Sequence, residues 1–172
     1  RIMLVLIKGA GDLATGTAVR LYRAGIPVVM TEVARPTAVR RTVAFSQCMY
    51  DGAAQVEGIA ARRAEDAGAA RRALERGEVP VLCDPEAAIL RELPFGGVVD
   101  AILAKRNLGT AITDAPVVLA LGPGFTAGVD CHGVVETMRG HDLGRLLTRG
   151  SAAPNTGVPG DVGGYTIQRI IR

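Results

Sequence analysis

Apolar residues run in short blocks along this chain, each closed by glycine, proline or a charged residue. The first block, Ile2-Met3-Leu4-Val5-Leu6-Ile7, predicts a strand buried on both faces of a parallel sheet. It stops at Lys8-Gly9-Ala10-Gly11-Asp12-Leu13-Ala14, where Gly9-x-Gly11-x-x-Ala14 has the spacing of a dinucleotide-binding turn. One small residue permits the tight turn, the next lets the backbone approach a phosphate, and the third packs the helix on the strand. Behind the turn, Leu13, Ala14, Ala18, Leu21 and Ala24 share one helical face, Arg20 and Arg23 point away, and Gly25 closes the helix. Pro27-Val28-Val29-Met30-Thr31-Glu32 predicts a second buried strand, and Glu32 stands 21 positions after Gly11, where this motif places a ribose-binding acid. Two readings stay open: a phosphate-binding βαβ unit, or a tight strand–helix turn that binds nothing. Asp12 repels phosphates unless its side chain turns inward to cap the helix, or a metal ion bridges it to the ligand.

Beyond Glu32, Pro36 breaks the strand and a short helix is expected from about Thr37. Gln55-Val56-Glu57-Gly58-Ile59-Ala60-Ala61 alternates like a strand or an edge ribbon. Asp66 to Gly77 predicts a helix with Asp66 as N-cap, Ala70, Ala73 and Leu74 inward, and Gly77 at its end. Strands are expected at Val79–Asp84, Val98–Ala104 and Val117–Leu121, with a short helix through Ala88 and Leu93. From Gly109 onward glycines crowd the sequence, and loops with short strands replace long helices. Asn155–Gly160 is a turn cluster, and Tyr165–Arg172 alternates like a strand and stops abruptly, the mark of a fragment cut at its C-terminus. The absence of an initiating methionine suggests a trimmed start as well.

Composition narrows the function classes. With 172 residues and 48% hydrophobic content, the chain can bury one substantial core and begin a second. No run of about 18 apolar residues exists, so no membrane span is expected, and the first apolar run is too short for a signal peptide. The net charge of +3 comes from arginines scattered among acids rather than from a basic block, and only 3% of residues are aromatic. Nucleic acid is therefore not an expected partner. Cys48, Cys83 and Cys131 are odd in number and far apart, which fits a reducing cytoplasm better than a disulfide framework.

Several loops concentrate candidate chemistry. Arg35, Arg40 and Arg41 follow the second strand, where they either hold a phosphate or form a solvated basic loop. Lys105, Arg106 and Asn107 hang from a strand end, and Gly122-Pro123-Gly124-Phe125-Thr126 is a second glycine-rich turn after a strand. If all these strands are parallel, their C-terminal ends share one sheet edge, and three such loops describe an anion-binding crevice. Cys83 reads as a small buried hydrophobe, with ligand contact as the alternative. Asp130, Cys131, His132, Glu136, His141 and Asp142 are metal-ligand types, but their spacing matches no ligand pattern and no metal site is assigned.

Lys8–Gly16, Val29–Glu32, Ala34–Phe45 and Asp84–Ala87 together resemble the YqeB family, accessory proteins of selenium-dependent molybdenum hydroxylase systems. Ala104–Thr110, Leu121–Gly128, Glu136–Gly144 and Pro154–Gly160 resemble it too, so the likeness covers nearly the whole chain. The resemblance implies maturation of a molybdenum hydroxylase partner, in the broad role of XdhC-type chaperones that carry a Rossmann-like domain. Members of that family continue past the point where this chain stops, which agrees with the fragment reading. The expectation is a Rossmann-like α/β domain over residues 1–126, then an incomplete glycine-rich β region at 127–172. Its expected ligand is a nucleotide or the molybdenum pyranopterin cofactor, held as a small anion through Lys8, Gly9, Gly11, Asp12, Glu32, Arg40, Arg41, Lys105, Arg106, Asn107, Gly122, Gly124 and Thr126. No catalytic residue is assigned, and a homo-oligomer is compatible with this reading. The alternatives are a small NAD-dependent oxidoreductase and a non-catalytic interaction module.

Overall fold

A computed structural model describes residues 3–154; the turn cluster at Asn155–Gly160 and the alternating stretch at Tyr165–Arg172 lie outside the described residues. The predicted first strand, helix and second strand are present as β1 (Leu4–Lys8), α1 (Asp12–Arg23) and β2 (Val28–Glu32). Gly25, at φ +78°, ends α1 as expected. After β2 come a four-residue helix α2 (Cys48–Asp51), β3 (Ala53–Val56), β4 (Ile59–Ala64), α3 (Ala67–Glu75) and β5 (Val79–Cys83). The alternating ribbon is thus a hairpin turning at Glu57–Gly58, and Asp66 caps α3 by accepting the Ala69 amide at 2.7 Å. β6 (Phe95–Asp100), β7 (Val117–Leu121), β8 (Gly133–Val135) and β9 (Leu146–Leu147) complete the described elements.

All nine described strands form one sheet in the order β3-β4-β5-β2-β1-β6-β7-β8-β9. Only the edge pairs β3–β4 and β8–β9 are antiparallel. From β1 the chain builds outward first through β2 and then through β6, so β1 sits where the strand order reverses, as in a Rossmann-like α/β fold. Val5 and Ile7 pack with α1 and α2 on one face, while Leu6 and Val98 pack with α3 on the other. Residues 127–154 stay with this sheet: β8 pairs with β7, and Ala127, Cys131, Val134 and Ala152 share its core.

Four local expectations change. No helix starts at Thr37; residues 41–43 and 45–47 form two 3-10 turns. The Phe45 amide bonds Thr15 Oγ1 at 2.9 Å and the Ser46 amide bonds the Ala10 carbonyl at 2.8 Å, so tertiary partners take the donors a helix would need. The helix through Ala88 shrinks to a 3-10 turn at Ala88–Arg91, because Ala87 is left-handed at φ +52° and Asp84 accepts the amides of Ala88 and Ile89. β6 starts earlier than expected and ends at Asp100, whose Oδ1 bonds the Ile102 amide while Leu103 turns to φ +60°. Cys83, expected to be buried, is exposed, because it closes β5 beside Glu32 where the sheet opens to solvent.

Candidate functional site

The glycine turn is built by three different demands. Gly9 has φ +96°, and a Cβ there would lie 2.8 Å from the Ala101 carbonyl oxygen, so its missing side chain lets the exit of β6 pass. Ala14 is fully buried where α1 meets the strands. Gly11 is the N-cap of α1 at φ −69°, and no heavy atom lies within 4 Å of the position its Cβ would take. The first and third small residues are therefore explained by packing inside the protein, and Gly11 is not. It leaves bare backbone facing open space at the positive end of a 12-residue helix, the arrangement that accepts a phosphate.

Glu32 holds this turn from the end of β2. Its Oε2 accepts the Ala10 amide at 2.9 Å and its Oε1 accepts the Val33 amide at 2.8 Å. Each carboxylate oxygen carries a second lone pair, so Glu32 retains capacity for a ribose hydroxyl. Asp12 accepts the Leu13 amide on Oδ1 at 2.9 Å, but α1 has no side-chain N-cap and the Asp12 side chain stays exposed rather than turning inward. Beside Glu32 a small crevice of 70 Å³ runs between the ends of β1, β2 and β6, walled by Gly9, Thr31, Val33, Pro85, Ile102 and Leu108. Val33, Ile102 and Leu108 are all exposed there, which gives a carboxylate flanked by apolar surface at the reversal of strand order.

The other predicted residues are placed unequally. β1, β6 and β7 are parallel neighbours, so the loops after them do share one edge. The second glycine turn, however, is filled from within. A Cβ on Gly124 would lie 2.5 Å from Arg106 Cα, and one on Gly122 would meet Thr137 Oγ1 at 2.9 Å. Thr126 donates its amide to Asp130 at 2.7 Å. Asn107 accepts the amides of Gly109 and Thr110 and donates to the Thr110 carbonyl, so its amide group shapes its own loop. Lys105 and Arg106 remain exposed beside it. Arg41 lies 5.0 Å over the Tyr50 ring, and Arg40 is exposed next to it.

Lys8 turns to the opposite face of the sheet from α1, following the alternation of Leu4, Leu6 and Lys8. It is 6% exposed; its Nζ donates to Thr110 Oγ1 at 2.8 Å and lies 3.8 Å from Asp114 Oδ2. The Thr110 hydroxyl passes its own hydrogen to Asp100 at 2.6 Å. Asp100 is the register partner of Lys8 and is almost wholly buried. This set ties the loop after β6 to β1. Sequence reading missed Asp100, Thr110 and the apolar walls Ile102 and Leu108. The one available signal was an acid ending an apolar strand, Val98-Val99-Asp100, opposite the lysine ending β1.

The thiols are divided by burial. Burial pushes the Cys48 thiol up to about 12 and raises Cys131 as well, which keeps both protonated. Cys83 is the exposed thiol. Among the described residues no group of three or more histidine, cysteine or acidic side chains could hold a metal ion, and no helix is long and apolar enough to cross a membrane.

With this geometry in place, comparison with known proteins adds one relative. The chain is 56% identical, over 169 residues, to "Uncharacterized protein YqeB" of Escherichia coli (strain K12). It matches one region of YqeB. That stretch is 98% of this chain and 31% of the relative, so the chain spans about a third of YqeB. No protein-family model and no solved structure matches the chain. The likeness to YqeB extends across the glycine turn, the Glu32 crevice and both buried cores, since it leaves almost none of the chain out.

Proposed function

We propose that this YqeB-like chain is a cofactor-holding accessory factor, which binds a nucleotide or the nucleotide form of the molybdenum pyranopterin cofactor during maturation of a selenium-dependent molybdenum hydroxylase. Gly11 carries the reading. It is a small residue at a helix N-terminus that the protein's own packing does not require; it faces open space, two positions after Gly9, which lines the apolar slot, and one after Ala10, whose amide Glu32 holds. A nucleotide fits such a set: phosphate on the bare turn, ribose hydroxyls on Glu32, and a flat ring against Val33, Ile102 and Leu108. The molybdenum group, when carried by such a nucleotide, is the redox centre the partner enzyme needs. This chain's residues orient its phosphate and ribose.

The same crevice argues for holding rather than turnover. Among its lining residues only Glu32 is a proton-transfer group, and both its oxygens already accept backbone amides. Titration calorimetry with nucleoside mono- and diphosphates tests the reading, with Gly11→Val as the control. A Val side chain at that open position is expected to weaken the preferred ligand at least about tenfold, roughly 1.4 kcal/mol, in a folded protein. Loss of the partner hydroxylase's activity on deleting the gene, at unchanged hydroxylase protein level, is the expected cellular result. Steady oxidation or reduction of a nicotinamide cofactor by the purified protein would replace this reading with the oxidoreductase one.

A further inference from the structure

The two faces of the sheet are covered unequally. On the face shared with α3, Val118, Ala120 and Val134 are fully buried, covered by Ala115, Phe125 and Cys131 from the connections on either side of β7. On the α1 face the same strands turn out Val117, Leu119, Leu121 and Val135, and none of these is fully buried. β7, Val117-Val118-Leu119-Ala120-Leu121, therefore has no polar residue on either side, yet among the described residues only one side is covered. A strand in a parallel sheet that is apolar on both faces ordinarily has helices packed on both. Here residues 101–116 and 122–132 connect β6 to β7 and β7 to β8 without a helix. The result is an open groove of 510 Å³, with Leu13 and Leu21 of α1 as one wall and Val99, Leu119, Leu121 and Val135 as the floor.

We propose that this groove seats an α-helix of the same polypeptide, supplied by the part of a YqeB-length chain that lies outside the matched region. Dimensions favour a helix. Three strands about 4.8 Å apart span roughly 10 Å, about the width of a helix with its side chains. Chemistry favours an apolar stripe, because the only charged lining residues are Asp12 and Arg20, one of each sign. Length favours an intramolecular source: the matched region is 31% of YqeB, which leaves most of that polypeptide to supply the cover. The proposal does not depend on what the Glu32 crevice holds.

The test compares the 172-residue chain with a chimera in which it replaces the matched region of Escherichia coli YqeB. Both carry Cys83→Ser, with Leu121→Cys as reporter or Val39→Cys as control. Alkylation at position 121 is expected to be about tenfold slower in the chimera, as for a site reached only by local opening, while position 39 reacts alike in both. Equal rates at position 121 overturn the proposal. So does protection in the short chain that grows with its concentration, since a second copy then covers the groove. If the chimera does not fold, unmodified proteins give the second readout. A fluorescent apolar dye is expected to bind the 172-residue chain, to lose that binding in Leu121→Asp, and to ignore full-length YqeB. Equal dye binding to full-length YqeB overturns the proposal.

Discussion

Gly9 and Gly11 differ by two positions and are expected to fail in opposite ways. An alanine at Gly9 must adopt φ +96°, outside the range L-residues favour, at roughly 1–2 kcal/mol. Its Cβ also falls 2.8 Å from the Ala101 carbonyl, a backbone atom that cannot rotate aside. Overpacking of that kind costs about 1–3 kcal/mol. Together the two reach about 2–5 kcal/mol, a large share of the roughly 5–15 kcal/mol that keeps a domain folded. At Gly11 the backbone is ordinary, at φ −69°, and nothing lies within 4 Å. There the lower chain entropy of alanine, about 0.4–1 kcal/mol in favour, is offset by its poorer N-capping, also a fraction of a kcal/mol to about 1. Urea unfolding followed by circular dichroism reads both. Gly9→Ala is expected to unfold at clearly lower urea or to fail to fold, and Gly11→Ala to unfold within about 0.5 kcal/mol of the parent. Equal midpoints for the two variants would refute the division of labour within the turn, and with it the claim that Gly11 is free to serve a ligand.

Three further outcomes follow from the same geometry. Lys8→Met removes the cation beside Asp114 and the donor to Thr110 and should cost about 3–5 kcal/mol in urea unfolding, yet leave calorimetric affinity for nucleotide unchanged in the fraction that folds, because Lys8 faces away from the crevice. Cys48 is raised from 9.0 to about 12 by burial, so above pH 9 the unfolded chain releases a proton that the native chain keeps. Its contribution to stability should be complete below pH 9 and fall by about 1.4 kcal/mol per pH unit towards pH 12; a Cys48→Ala variant whose stability declines as steeply over that range would contradict this. Nucleotides with a free 2′-hydroxyl should bind more tightly than 2′-phosphorylated ones, and Glu32→Gln should weaken that preference while loosening the turn, since the Gln amide nitrogen cannot accept a backbone N–H as both Glu32 oxygens do.

The β1–α1–β2 unit was legible because period, glycine spacing and helix-stop signals all agreed within thirty residues. The Asp66 cap was legible for the same reason, whereas Gln55–Ala61 read as one alternating strand or edge ribbon and its turn at Glu57–Gly58 was missed. What escaped reading depended on tertiary partners. Helix formation after Thr37 loses to amide bonds made with Thr15 and Ala10. The Gly122–Gly124 turn resembles a ligand turn in sequence, but its glycines accommodate Thr137, Leu103 and the Arg106 backbone. Lys8 looked like a phosphate partner because it adjoins Gly9, while strand alternation points it to the other face. The apolar walls of the crevice, Ile102 and Leu108, carry no motif at all.

The turn at Gly11 is proposed to hold a nucleotide-type anion. Native mass spectrometry tests it most directly, on the 172-residue protein and its Gly11→Val variant, each purified from a host that makes molybdenum cofactor. A phosphate-bearing nucleotide or pyranopterin nucleotide should copurify with the parent, and none with the folded variant. The same ligand in equal amount on both proteins, or no ligand on the parent even after millimolar nucleotide is added, would contradict it.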